Sequence, residues 1–108
     1  MHELGITQSI VGICLENSGG VAVKSVILEI GKLSAVMPDA VRFCFDICAS
    51  GTLVEGAALE IIETPGMAEC QSCAVRIPVS TLFGRCVCGS SSLKVIAGEE
   101  LKVRELEV

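Results

Sequence analysis

Four cysteines in this chain are spaced for metal chemistry. In ECQSCAVRIPVSTLFGRCVCGSSSLKV, Cys70 and Cys73 form a CxxC pair, residues 74–85 intervene, and Cys86 and Cys88 follow as C-x-C before Gly89. Two thiol pairs on two turns, joined by strand-like segments (AVRIPV and SLKVI), can present four sulfurs to one ion, as a tetrahedral structural zinc site requires. Such a closed site keeps no open coordination position, so it holds a fold together and performs no hydrolysis. Two other chemistries fit the same residues: iron in a rubredoxin-like site, and a redox dithiol made of Cys70 and Cys73 alone. The dithiol is disfavoured because its CxxC precedes a strand, where a helix N-terminus would be needed to activate a thiolate. The second pair poses a steric question of its own. Residues i and i+2 of an extended strand lie on one side of it, so a C-x-C pair can wrap an ion only if the chain turns at Gly89-Ser90.

The second candidate is the start of the chain, Met1-His2-Glu3, which carries the only histidine. An initiator Met is normally kept before a residue as bulky as His, so His2 is expected to remain second. The α-amine, the peptide nitrogen of His2 and its imidazole can close adjacent chelate rings, and the peptide nitrogen of Glu3 can complete a planar set. Planar nitrogen donors suit Ni²⁺ or Cu²⁺, whereas Zn²⁺ prefers a tetrahedron. Backbone amides must lose protons to bind, so such a site weakens as pH falls. On spacing alone the plainer reading, a solvated and frayed terminus, remains open.

The other residue types are read as structural. Cys14, Cys44 and Cys48 lie in apolar stripes and are expected to be core thiols. Glu63, Glu69, Glu99 and Glu100 are expected to be solvated surface, and Met37 and Met67 packing or loop residues. The net charge of −5 and the absence of Trp and Tyr argue against a nucleic-acid groove, which needs clustered cations and stacking platforms. No apolar run reaches the roughly 20 residues that span a bilayer. No basic n-region precedes an apolar stretch, so no signal peptide is visible and the expected address is the cytoplasm. Seven cysteines, an odd number, fit a reducing compartment better than a disulfide framework.

These residues need a scaffold. Ile6, Ile10, Ile13 and Cys14 recur at helical spacing across 6–17, ahead of Ser18-Gly19-Gly20. VAVKSVILEI (21–30) alternates so that Val26, Leu28 and Ile30 share one face. Pro38 and Asp39 suit the first turn of a helix over 38–50, with Val41, Cys44, Phe45 and Cys48 as its buried stripe. ALEIIET (58–64) and EELKVRELEV (99–108) read as strands, with a break at Pro65-Gly66. The expected fold is a small α/β (α+β) layer, a three-stranded sheet covered by two helices with an inserted zinc-ribbon-like module. Its expected division is 1–65 plus 98–108, a nickel-binding domain, against a zinc-binding module at 66–97.

The stretches MHELGITQSIV, LEIGKLSAVMPDAVRFCFDICASGTLVEGAALEI and GEELKVRELEV, with the paired cysteines between the last two, resemble the HypA/HybF family of nickel metallochaperones over essentially the whole chain. The resemblance implies a non-enzyme that helps mature [NiFe]-hydrogenases or urease. It implies that nickel is cargo, held by the Met1 amine, the His2 side chain and backbone nitrogens including that of Glu3. It assigns a structural zinc to Cys70, Cys73, Cys86 and Cys88, although the family usually has CxxC in both pairs and this chain is one residue shorter in the second. The implied partners are a HypB-type GTPase and the hydrogenase large-subunit precursor, with no nucleic acid, no membrane, and room for a homodimer. Without the resemblance, the residues also suit a zinc-ribbon protein-interaction module with no nickel role.

Overall fold

The computed structural model describes residues 2–81 and 84–108, with the backbone alone at His2. The elements run α1 (His2–Asn17), β1 (Ser25–Gly31), α2 (Pro38–Ala49), β2 (Ala58–Thr64), β3 (Gly66–Cys70), β4 (Arg76–Val79), β5 (Leu93–Ala97) and β6 (Leu101–Glu107). They form two three-stranded sheets, ordered β2-β1-β6 and β4-β3-β5. The chain divides into two compact units: Met1–Glu29 with Val36–Ile62 and Lys102–Val108, and Ile30–Ala35 with Glu63–Leu101. The cysteine-bearing unit thus takes in 30–35, 63–65 and 98–101 in addition to 66–97. No helix among the described residues is long and apolar enough to cross a membrane.

In the first unit two helices pack on each other, and one face of β1 is buried. Val26 and Leu28, two residues apart, are fully buried, because alternate side chains of a strand share a face. From α2, Val41, Cys44, Phe45 and Ala49 point inward; the removal of Phe45 from water alone stabilises the fold by roughly 1.5–3 kcal/mol. Cys14 and Cys44 are buried as expected of core thiols, and Cys48 is half-buried. Backbone bonds from Ala58 N to Lys24 O and from Lys32 N to Thr64 O advance together along both chains, so β2 runs parallel to β1. Parallel neighbours need a crossover, and α2 supplies it. Bonds from Lys24 N to Glu107 O and from Gly31 N to Glu100 O run the opposite way, making β6 antiparallel to β1.

Three features differ from the sequence reading. The first helix begins at His2, four residues before its apolar stripe, and ends where Asn17 Nδ2 and Ser18 Oγ donate back to the carbonyls of Ile13 and Leu15. The first strand begins at Ser25, because Val21 to Lys24 serve as a return turn in which Val23 N donates to Leu53 O. The segment after the Pro65-Gly66 break is itself a strand, β3, and it is central, paired antiparallel with β4 and β5. Gly66, Met67, Ala68 and Glu69 have little β-propensity; pairing on both edges overrides it.

The second unit closes on glycine backbone. A Cβ on Gly31 would overlap the Gly98 carbonyl, one on Gly98 the Gly66 backbone, and one on Gly66 the Val79 carbonyl. Gly98 also has φ +102°. The neighbouring Glu100, expected at the surface, is half-buried; one carboxylate oxygen accepts from Thr64 Oγ1 at 2.7 Å and the other from Gly98 N at 2.8 Å. Gly98→Ala is therefore expected to cost about 3 kcal/mol or more, through backbone overlap and strain combined. By contrast Gly12→Ala, inside α1 with nothing within 4 Å of the added methyl, should stabilise by about 0.5–1 kcal/mol. Denaturant melts of the two variants check both signs.

Candidate metal centre

The metal centre is built on two hairpin turns of nearly identical backbone logic. In the first, Cys70 N donates to Val75 O at 2.9 Å, Ala74 N returns to Cys70 O at 2.8 Å, and Ala74 is left-handed at φ 65°. In the second, Cys86 N donates to Ser90 O at 2.9 Å, Gly89 N returns to Cys86 O at 2.8 Å, and Gly89 is left-handed at φ 91°. Each turn opens on a cysteine bonded across the loop, and in each the left-handed residue directly follows the second cysteine. The C-x-C pair is the same knuckle with one residue removed from its interior. Val87, the single residue between the cysteines, stands 95% exposed at the tip. Gly89 takes the positive φ at no steric cost, whereas Ala74 bears a penalty for it.

The turns bring all four expected sulfurs together. Their Sγ atoms lie within 4.8 Å of one another, with Cys70 and Cys86 buried and Cys73 and Cys88 exposed. Two close approaches cross from one knuckle to the other: Cys70 to Cys88 at 3.7 Å and Cys73 to Cys86 at 3.5 Å. A Zn–S bond of about 2.3 Å gives a tetrahedron with S···S edges of about 3.8 Å. Two edges already match, and the donor set fits a structural divalent ion. Among the described residues no other group of three or more His, Cys, Asp or Glu side chains is so gathered.

The cluster's electrostatics also call for a cation. The Cys70 thiol is held down to about 6, first by the Cys73 backbone N–H, with help from the Ser72 N–H and the Cys73 and Cys88 sulfurs, and against burial. Cys86 is pushed up: the Cys88 backbone N–H favours its thiolate, but burial and the Cys73 and Cys70 sulfurs outweigh that. Cys88 is pushed up as well: the Ser90 backbone N–H favours its thiolate, but the Cys86 and Cys70 sulfurs and burial outweigh it. One early thiolate beside thiols that resist ionisation is the pattern of crowded like charges, and a divalent ion relieves it.

Serines that the sequence left unassigned tie the knuckles together. Ser72 Oγ donates to Ser90 Oγ at 3.0 Å, Ser92 N donates to the same oxygen at 3.1 Å, and Gln71 N donates to Ser92 O at 2.8 Å. Only the run Gly89-Ser90-Ser91-Ser92 hinted at them, as turn chemistry.

At the other candidate site, the Glu3 backbone lies in the first turn of α1, and Glu3 O accepts from buried Thr7 Oγ1 at 2.6 Å. Met1 and the His2 side chain lie outside the described residues, so the expected nickel set of Met1, His2 and Glu3 is anchored here only by the helix start.

Two outcomes follow for the cysteine site. Metal uptake at neutral pH must expel protons from at least Cys86 and Cys88, so zinc affinity should fall at least about a hundredfold per pH unit below 8. It should fall more steeply below about pH 6, where Cys70 too holds its proton; chelator competition at stepped pH measures the slope. Ser90→Ala removes an oxygen that receives two hydrogen bonds and should speed zinc loss to a chelator by up to about tenfold, as a stopped-flow indicator assay would show.

Comparison with known proteins accords with this geometry. The family model described as "Hydrogenase/urease nickel incorporation, metallochaperone, hypA" matches residues 1–108. Hydrogenase maturation factor HypA of Trichormus variabilis is 59% identical over all of this chain and 96% of its own, and that of Geobacter sulfurreducens 52% identical over all of this chain and 99% of its own. A solution structure of the Ni metallochaperone HypA from Helicobacter pylori shares the fold, with TM-score 0.70 and 22% identity over 97% of this chain and 95% of that one. A solution structure of a HypA protein gives TM-score 0.71 and 25% identity over 99% and 95%. A chain matched from its first residue to its last, with its four cysteines gathered into one cluster, belongs to the HypA family of nickel-incorporation metallochaperones.

Proposed function

We propose that this protein carries Ni²⁺ as cargo at its N-terminus, through the Met1 amine, the His2 imidazole and backbone nitrogens including that of Glu3, while Zn²⁺ sits at Cys70, Cys73, Cys86 and Cys88 as a structural ion. The observation that carries this reading is the placement of the only histidine at position 2, inside a family match that starts at residue 1. The cysteine cluster offers four thiolates, a soft and closed set suited to zinc; planar nitrogen donors suited to nickel gather at the other end of the sequence. A helix first turn is also the place where backbone N–H groups have no preceding carbonyl to bond, which lowers the cost of recruiting amide nitrogen there.

The function is relay and not catalysis. The protein accepts nickel in the cytoplasm, meets a HypB-type GTPase, and helps place the metal in the [NiFe]-hydrogenase large-subunit precursor. A short, exposed chelate that must shed amide protons binds reversibly, as a donor must, and lets go as pH falls. The zinc unit keeps its ion throughout.

The test is a Ni²⁺ titration by calorimetry of tag-free, zinc-loaded protein with its natural terminus, beside His2→Ala and a variant with one Gly placed before Met1. The expected result is about one nickel per chain in the wild type and loss of binding in both variants. Equal binding by all three would place nickel elsewhere and leave a zinc-ribbon interaction module.

A further inference from the structure

We propose that Cys73 and Cys88 are a modification site for hydrogen peroxide, where oxidation joins each to the buried cysteine of the opposite knuckle, Cys73 to Cys86 and Cys88 to Cys70, and releases zinc while the knuckles stay clasped. This rests on the zinc reading of the four cysteines and is independent of the nickel reading.

The four sulfurs are not equivalent toward solvent. Cys70 and Cys86 are 1% and 4% exposed, whereas Cys73 and Cys88 are open to solvent. Each knuckle therefore carries one shielded and one accessible sulfur. An oxidant in water reaches the accessible ones, and a metal ligand is held as the thiolate, the form that reacts. The shielded sulfurs are placed to answer. Cys86 Sγ lies 3.5 Å from Cys73 Sγ, and Cys70 Sγ lies 3.7 Å from Cys88 Sγ. A disulfide needs about 2.0 Å, so side-chain motion of roughly 1.5 Å closes either pair.

Closure within a knuckle is opposed in the second turn. Only Val87 separates Cys86 from Cys88, and the bonds from Cys86 N to Ser90 O and from Gly89 N to Cys86 O fix that tight loop. A disulfide across a single residue would strain it. Cys86 and Cys88 therefore take their partners from the first knuckle. The frame that keeps those partners in reach does not depend on sulfur. Ser72 Oγ donates to Ser90 Oγ, Gln71 N donates to Ser92 O, and β3 is paired on both edges, with Cys70 opposite Leu93.

The chemistry balances. The Cys73 thiolate attacks one peroxide oxygen, the O–O bond breaks, and hydroxide leaves and takes a proton. The sulfur, oxidised by two electrons, is now a sulfenic acid. The Cys86 thiolate attacks that sulfur, the S–O bond breaks, the second oxygen leaves as water, and the S–S bond forms. Cys88 and Cys70 follow the same course. Each disulfide consumes one peroxide and two protons and yields two waters. Sulfurs bonded to one another no longer offer the thiolates that hold the ion.

The test adds hydrogen peroxide stepwise to the zinc-loaded full chain, freed of reductant, while a colorimetric indicator reads released zinc. Trypsin cuts after Arg76 and Arg85, so the two knuckles fall on separate peptides. Mass spectrometry without reduction should find those peptides joined, and fragmentation should read Cys73–Cys86 and Cys70–Cys88. Zinc release should track the loss of four thiols, and dithiothreitol with added zinc should reverse both. Cys48→Ala removes a half-buried thiol from the peptide that carries Cys70 and Cys73; pairing and release should be unchanged. Knuckle peptides left apart, the pairing Cys73–Cys88 with Cys70–Cys86, zinc retained while peroxide is consumed, or release that Cys48→Ala abolishes would each overturn the proposal. A chain that takes up no zinc before peroxide is added would overturn the zinc reading itself, and this proposal with it.

Discussion

The structure depends on one constraint: four sulfurs must be held within 4.8 Å of one another by a unit that has almost no apolar interior. Its buried side chains beyond the cysteines are few, Ile30, Leu33 and Ala68 chief among them. Bringing four ionisable thiols so close is unfavourable without a cation, and the split between an acidic Cys70 and reluctant Cys86 and Cys88 records that conflict. Everything around the cluster reads as a response to it. The hairpin turns fix two cysteines each, the serine bridge joins the turns, and the glycine contacts among 31, 66 and 98 let backbones close where side chains would have kept them apart. A metal bound at the four cysteines would take the place that a hydrophobic core takes in the first unit.

The first unit is governed by ordinary burial. A central strand with one fully apolar face, a crossover helix and an N-terminal helix give a conventional core around Leu28 and Phe45. Its first helix begins at His2, and its charged strand β6 ends the sheet order β2-β1-β6.

Legibility in the sequence followed the range of the forces. Period-two and period-3.6 patterns reveal burial, so Val26, Leu28 and Ile30, and Val41, Cys44 and Phe45, were readable before any fold was known. The four metal-site cysteines were readable because spacing alone restricts what they can do. The helical turn of 2–5 was not, since its apolar stripe starts later. Strand β3 was not, since Gly66 to Cys70 becomes a strand only through partners on both edges. The C-x-C pair looked like a conflict between strand and knuckle. It resolves in backbone hydrogen bonds, which side-chain patterns do not encode. Glu100 looked like surface because its partner Thr64, 36 positions away, becomes a neighbour only in the folded unit.

The central claim is a division of labour: sulfur for the resident ion and nitrogen for the cargo, at separate places on one chain. X-ray absorption at the zinc and nickel edges of doubly loaded protein tests it most directly. The account predicts four sulfur neighbours at about 2.3 Å around zinc and a planar shell of nitrogen and oxygen, without sulfur, around nickel. Sulfur in the nickel shell, with zinc losing thiolate neighbours, would contradict it and would make the cysteine cluster the cargo site.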